Sequence, residues 1–476
     1  MIDFTNIEKY KENNRIEAKK ALGGLPRSIW ETYSAFANTL GGIILLGVEE
    51  HADKSLHPID LPDPEKLIKD FWDIVNNANK VSANILSDKD VTVENVDGKR
   101  IVAIRVPRAR RSDKPVYIDG NPLSGSYRRN GEGDYKCTKE EVGAMMRDAA
   151  IKTQDMLVLE NTELDAFDYD SVKRYRIRMK TYRPGHVWEE LEDVEFLYKL
   201  GAVGRADDGK MHPTAAGLLM FGYEYEIVKE FPAYFLDYQE QFGPNTRWTD
   251  RIVSSSGDWS GNIYDFYFRV YNKITQDIKV PSKLEGSGID DTPVHKALRE
   301  ALANCLINAD YYGRQGLVII KRKDIITLSN PGGFRIDVEA AKSGGVSDPR
   351  NSTLIKMFNL IDVAEGSGNG IPNIFSVWKK QGWSAPVINE SFEPDRITLS
   401  LPIGKIGAKK AAAKTVAHKQ VIISYLTESI SASSAEIAEL TGLKPTRAKE
   451  ILAEMVNEQL LVAESDGNER VYKLKA

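Results

Sequence analysis

One stretch constrains the fold of this chain more than any other: an amphipathic helix that runs into a buried strand with only two glycines between them. From Arg27 to Leu40, the residues Trp30, Tyr33, Ala37 and Leu40 recur at three- and four-residue intervals, the stripe of a helix that buries one face. Gly41-Gly42 supplies its stop. Ile43 to Val48 is then a short continuous apolar run, and such a run ending in Glu49-Glu50 reads as an interior strand whose last residues emerge at a sheet edge. A helix and a buried strand joined this tightly belong to one layered α+β unit, assigned to residues 1–150. Within it, Val91 to Val96 and Lys99 to Val106 flank Asp97-Gly98, the two-residue loop of a type I′ hairpin.

A chain of 476 residues exceeds one core, so further domains follow. Residues 151–275 read as a charged helical stretch leading into an aromatic-rich one, with fifteen aromatic residues from Phe221 to Tyr271. That density is read as a core or as a subunit interface through which the chain would form a homo-oligomer, in preference to a platform for stacked bases. Residues 276–403 form the third unit, and 404–417 are an Ala/Lys-rich linker or weak helix. In 418–476, three helical segments (His418 to Glu428, Ser434 to Thr441, Pro445 to Gln459) precede two strand-like pieces around Asp466-Gly467-Asn468, the order of a winged helix-turn-helix. The expected class is α+β multidomain.

No stretch approaches the ~20 apolar residues of a membrane span, and the N-terminus lacks the apolar run of a signal peptide, so a cytoplasmic protein without membrane contact is expected. Cys137 and Cys305 are the two cysteines, and no CxxC pair supports a zinc site. The net charge of -5 excludes indiscriminate coating of nucleic acid, so contact with phosphate must be local. Between Lys99 and Arg129 stand nine basic residues against two aspartates, and Arg108, Arg110, Arg111, Arg128 and Arg129 are the candidate contacts. In the C-terminal reader, Lys444, Thr446, Arg447 and Lys449 sit in the first turns of the helix that would enter a DNA groove.

Three carboxylates carry the chemistry of the first unit. Glu12 and Glu17 are five residues apart, ~140° on a helix and on opposite faces of a strand, so they converge only across a bend. A turn near Asn13-Asn14 followed by a strand from Arg15 to Lys20 allows this and puts Glu17 and Lys19 on one face. Glu50 is the third. The runs ENNRIEAK, SAFANTLGG with IILLGVEE, and SYRRNGEG resemble the prokaryotic, AlbA-like form of the Schlafen fold over roughly the first 140 residues. Some members of that family are metal-dependent RNA endonucleases that use three carboxylates. The resemblance implies Glu12, Glu17 and Glu50 as Mg²⁺ or Mn²⁺ ligands and catalytic acids, with Lys19 offsetting charge on the phosphate. Glu50 stands where aspartate is usual, and Ala18 where an aromatic is usual.

In the third unit, Glu300 and Asn304 lie four apart on one helix and so point to one side. With NPGG at 330–333 and EGSGNG at 365–370 they resemble the GHKL ATPase domain shared by gyrase, MutL and histidine kinases, an α/β sandwich, in the arrangement found in regulators often labelled helicase-related. The resemblance implies ATP as ligand, Asn304 on Mg²⁺, Glu300 polarising water, and Gly332, Gly333, Gly366, Gly368 and Gly370 admitting phosphates to backbone amides. Asn330 stands where an aspartate usually reads adenine, and Phe334 replaces the last glycine of that box. No GxxxxGK[ST] loop is present, so no helicase motor is expected.

Two functions are consistent with these features. One is a nucleotide-responsive enzyme whose Schlafen-like domain cleaves transfer RNA or single-stranded RNA. The other is a non-enzymatic transcriptional regulator that grips DNA and binds ATP; an interaction scaffold is a weaker third.

Overall fold

The computed structural model describes residues 4–242, 247–276, 278, 292–364, 368–392, 394–403, 410–457, 460–466 and 469–475. They divide into two compact units, one of residues 1–149 with 409–476 and one of residues 150–408. Among them, no helix is long and apolar enough to cross a membrane.

The first unit is built on a four-stranded sheet. Its strands are β1 (Ile16–Lys19), β2 (Gly42–Leu46), β5 (Val91–Val96) and β6 (Lys99–Val106), in the order β1-β2-β6-β5. β1 and β2 are parallel and the other pairs antiparallel. Helix α1 (Ile29–Asn38) and helix α2 (Pro64–Val75) cover one face with Tyr33, Phe36 and Phe71. On the other face, Ile16, Ile43 and Leu45 of the sheet pack with Ile7, Val48 and Leu56. With both faces covered, β2 reads as a continuous apolar run rather than an alternating one. Gly41 and Gly42 make the tight helix-to-strand join possible: a Cβ on Gly41 would lie 2.8 Å from Val106 O, and one on Gly42 would lie 2.7 Å from the Phe36 ring. Asp97 and Gly98 both take positive φ, 52° and 79°, as the expected hairpin turn requires.

The apolar run does not stay one strand. Gly47 takes φ +81°, and beyond it β3 (Val48–Glu50) leaves the sheet to pair with β4 (Leu56–Pro58) as a separate ribbon. Glu50 thus stands on that ribbon rather than at the exit of the sheet strand. A second ribbon, β7 (Tyr127–Asn130) with β8 (Gly133–Lys136), packs against α1, and helix α3 (Lys139–Ala149) follows.

The second unit holds one core. A six-stranded sheet is formed by β9 (Leu236–Glu240), β10 (Asp250–Val253), β11 (Leu317–Lys321), β12 (Ile325–Pro331), β13 (Val387–Phe392) and β14 (Asp395–Pro402). Their order is β10-β9-β11-β12-β14-β13, and only the β9–β11 pair is parallel. Helices α4 (Pro293–Ile307) and α5 (Gly370–Gln381) pack on each other and share this core. Phe221, Tyr234, Tyr238, Phe266 and Tyr267 from the aromatic-rich stretch are buried in the same core, which accounts for much of the density seen in the sequence.

The chain then returns to the first unit with three helices, α6 (Lys410–Glu428), α7 (Ser434–Thr441) and α8 (Pro445–Asn457). A small sheet follows, β15 (Ala432–Ser433), β16 (Leu461–Asp466) and β17 (Glu469–Leu474), in the order β15-β17-β16. Residues 410–417 of the expected linker are helical, continuous with the segment from His418, while 404–409 and the turn residues Gly467 and Asn468 lie outside the described residues. Ile430 N donates to Lys9 O at 3.0 Å, and Tyr10 bridges Ser429, so this module is joined to the segment just before Glu12.

Candidate functional site

The bend that brings Glu12 and Glu17 together is held by backbone. Asn13 bridges Ile16, and Asn13 Oδ1 accepts from Arg15 N at 2.7 Å, which turns the chain before β1. Glu12 then folds back so that its Oε1 accepts from Ala18 N at 2.9 Å. Glu17 and Lys19 share a face of β1 and pair with each other, and Arg129 Nη2 lies 2.7 Å from Glu17 Oε2. Glu50 reaches the same neighbourhood from the ribbon and pairs with Lys54 at 3.3 Å.

Glu17 and Glu50 both act on Glu12. Burial first, and then the charges of Glu17 and Glu50, push the Glu12 carboxyl up to about 7, against the Ala18 N–H and Lys19, which pull it down. Two oxygens, Glu17 Oε2 and Glu50 Oε1, are buried without a hydrogen bond; the contact of Arg129 with Glu17 Oε2 is an ion pair by distance and lacks hydrogen-bond geometry. Buried carboxylate oxygens left this way, in an all-oxygen donor set, fit a hard divalent cation by chemistry. Among the described residues, no three His, Cys, Asp or Glu side chains converge on a metal position as they stand, for Glu17 is turned to Lys19 and Arg129.

Most of the basic run of the sequence is held by partners within the unit. Lys99 Nζ donates to Pro58 O, Arg100 pairs with Glu65, Arg105 with Glu94, and Lys114 Nζ donates to Asn38 O. Arg111 Nη1 donates to Asp148 O at 2.7 Å, and Arg128 pairs with Glu141. Arg108 is partly buried, and Arg110 is exposed. Arg129 corrects the expectation outright: its side chain is 1% exposed, and it donates to Asn13 O and Ile16 O while pairing with Asp134 and Glu17. It is an internal clamp, not a phosphate contact, because Tyr127 and Arg129 share the inward face of β7.

In the second unit, Glu300, Asn304, Asn330, Gly333, Gly368 and Gly370 line a single cavity between α4, α5 and the sheet. Asn304 Nδ2 donates to Glu300 Oε1 at 3.2 Å, which leaves Asn304 Oδ1 as the atom a cation would use. Asn330, buried at the end of β12, donates through Nδ2 to Asn308 O and Pro331 O, so its Oδ1 remains the acceptor. Gly332 does not line the cavity, although a Cβ there would meet the Arg350 guanidinium at 2.8 Å, and Gly366 lies outside the described residues. Sequence reasoning missed Arg335 and Arg350, which line the same cavity; Arg350 Nη2 donates to Gly333 O at 2.8 Å.

In the C-terminal module, Lys444, Thr446 and Lys449 are exposed at the start of α8, and Arg447 pairs with Glu450 at 2.7 Å.

The family model described as Schlafen, AlbA_2 matches residues 12–138, a span that opens on Glu12 and contains Glu17, Lys19, Glu50 and Arg129. Residues 12–138 are a Schlafen AlbA_2 domain. The model described as putative ATP-dependent DNA helicase recG C-terminal matches residues 318–399, so the second unit carries an ATPase-like domain of that kind. A domain of unknown function, DUF8451, matches residues 143–237. No curated protein matches. Among solved structures, the chain is similar to the DIP2311 protein from Corynebacterium diphtheriae, at 15% identity over 97% of this chain and 95% of that one, with a TM-score of 0.40. It is also similar to the N-terminal domain of a putative ATP-dependent DNA helicase RecG-related protein from Nitrosomonas europaea, at 32% identity over 29% of this chain and 95% of that one, with a TM-score of 0.23. The Schlafen and recG-like domains together point to a function related to nucleic acid.

Proposed function

We propose that the Schlafen AlbA_2 domain is a metal-dependent endonuclease of transfer RNA or single-stranded RNA, governed by a nucleotide in the ATPase-like cavity. The observation that carries this reading is that the charges of Glu17 and Glu50 meet a partly buried Glu12, which is pushed to about 7, beside two buried oxygens lacking hydrogen bonds. Gathering three acids from a bend, a strand and a ribbon costs stability, and a bound cation relieves that cost. Glu12, Glu17 and Glu50 would hold Mg²⁺ or Mn²⁺, which supplies an activated water and charge stabilisation at the phosphodiester. Arg129 fixes Glu17 from behind. Lys19 exchanges Glu17 for the phosphate and offsets the charge that builds there. In the cavity, Glu300 and Asn304 would meet Mg²⁺-ATP, and Gly333, Gly368 and Gly370 leave room for its phosphates.

A second reading, a non-enzymatic regulator, is favoured by two observations. Glu17 is already balanced by two cations, and the C-terminal module has the element order of a winged helix with Lys444, Thr446 and Lys449 exposed. The test is incubation of the purified chain with labelled transfer RNA and with single- and double-stranded DNA, in Mn²⁺ or EDTA, beside Glu12→Gln and Glu50→Gln. Cleavage of RNA that needs the metal and both acids supports the nuclease. Salt-sensitive binding of duplex DNA with no cleavage under any condition transfers the conclusion to the regulator.

A further inference from the structure

We infer that the helix Ser352–Leu360 relays nucleotide occupancy of the cavity to the segment that leaves the Schlafen domain, with Asp155 as the coupling residue. The inference rests on the reading of the cavity as a nucleotide site and supplies the route of its regulation, whether or not RNA is cleaved.

The helix is part of the cavity wall: Ile355 lines the cavity, as do Ser347, Asp348, Pro349 and Arg350 in the loop that leads into the helix. Its own cap residue, Asn351, does not cap it, because the amide donates instead to Ile307 O at 2.8 Å and Ala309 O at 2.9 Å, at the end of α4. The first turn is held by Asp155, which is 1% exposed and whose Oδ2 accepts from Thr353 N at 2.7 Å and Leu354 N at 3.0 Å. Thr153 Oγ1 donates to Asp155 Oδ1 and so accepts from Ser352 Oγ. The other end is held by two arginines: Arg178 Nε donates to Ile361 O at 3.2 Å, and Arg183 donates to Asn359 O and Leu360 O at 3.1 and 3.2 Å. A carboxylate thus sits at the N-terminus of the helix and two guanidinium groups at its C-terminus, the arrangement its dipole favours. All three side chains come from residues 155–183, and Asp155 follows Ala149, the last residue of α3, by six positions. Inside the cavity, Arg335 pairs with Asp348 at 3.4 Å and Arg350 Nη2 donates to Gly333 O at 2.8 Å, so a nucleotide that draws on either arginine shifts the loop before the helix. The helix cannot follow alone, because parting it from Asp155 would strand a buried carboxylate. It carries the segment with it.

The experiment is hydrogen exchange on the full chain with and without a non-hydrolysable ATP analogue and Mg²⁺, read at residues 346–356 of the cavity wall and at residues 139–156. The chains are the wild type, Asp155→Asn, Arg183→Ala and, as a reference, Glu160→Gln at an exposed position. The expected result is slower exchange at both places in the wild type and the reference, by about fivefold at 139–156, the lower end of ordinary coupling between sites. In Asp155→Asn the cavity wall is still protected and the effect at 139–156 is lost. Arg183→Ala removes an exposed side chain from the other end of the helix; it weakens the effect and carries the test should Asp155→Asn fail to fold. Protection confined to the cavity wall in the wild type overturns the relay, as does an effect at 139–156 that folded Asp155→Asn retains, or Arg183→Ala in its place. Protection at neither place means that the nucleotide does not bind, which overturns the reading of the cavity and the relay with it.

Discussion

Glu17 and Arg129 are a buried ion pair, with Nη2 2.7 Å from Oε2 and the side chains 6% and 1% exposed, made between β1 and β7. The guanidinium does more than balance a charge, because it also donates to Asn13 O and Ile16 O on either side of the bend that presents Glu12. One residue therefore sets the charge of one acid and the backbone position of another. Removing a partner from a buried pair leaves the other charge uncompensated, a loss of about 3 kcal/mol. Arg129→Ala is expected to lower the unfolding free energy by that amount, read as a lower urea midpoint at unchanged slope. Arg129→Lys keeps the charge without the fork that spans two carbonyls, and is expected to fall between it and wild type. Equal midpoints for all three chains would refute the clamp.

Glu12 gives the fold a pH dependence of definite sign. Its folded carboxyl titrates near 7 against an ordinary 4.5, so between those values the folded chain holds a proton that the unfolded chain releases. The stability it contributes is complete below about 4.5 and is lost as pH rises through about 7. Thermal unfolding of wild type and Glu12→Gln over this range should show the wild type losing stability relative to the variant as pH climbs. Saturating Mn²⁺ should shrink the difference, since a bound cation favours the ionised carboxylate. Parallel curves without metal would show that Glu12 is not held in a raised state.

Much of this geometry is legible in the sequence, and the exceptions have physical causes. The five-residue spacing of Glu12 and Glu17 demands a bend, and the structure has one at Asn13. Asp97-Gly98 demands a hairpin with two positive φ angles, and has them. The run IILLGVEE misleads because hydropathy does not register the +81° φ at Gly47; a glycine inside a strand pattern was the available signal. Arg129 misleads because a basic run reads as a solvated face, whereas the period-two alternation with Tyr127 turns it inward. The convergence of Arg335 and Arg350 on the cavity depends on tertiary packing and leaves no local pattern.

Gly47 makes the geometric claim testable. A Cβ there would lie 2.7 Å from Leu61 Cγ and 2.9 Å from Ile59 O, and the backbone already takes a left-handed φ. Gly47→Ala should cost more than about 1 kcal/mol in urea unfolding. It should also displace the β3–β4 ribbon that carries Glu50, so RNA cleavage should fall further than the lost stability accounts for. A variant as stable and as active as wild type would mean that the ribbon does not depend on this turn.

Gly370 separates binding from stability in the second unit. It opens α5, where alanine is the better helix former by about 1 kcal/mol, so Gly370→Ala should leave the fold as stable as wild type or slightly more so. Its Cβ, however, would lie 2.2 Å from Glu300 Oε1, the oxygen that accepts from Asn304 Nδ2. That Cβ would also lie 2.8 Å from Glu300 Cδ and Cγ, so the whole side chain must turn away, which takes its Oε1 from Asn304 and disturbs the pair assigned to the nucleotide. Titration with a fluorescent ATP analogue and Mg²⁺ should show affinity reduced about tenfold, a change of about 1.4 kcal/mol, with the melting temperature undiminished. Unchanged affinity in a stable variant would place nucleotide binding away from the Glu300–Asn304 pair.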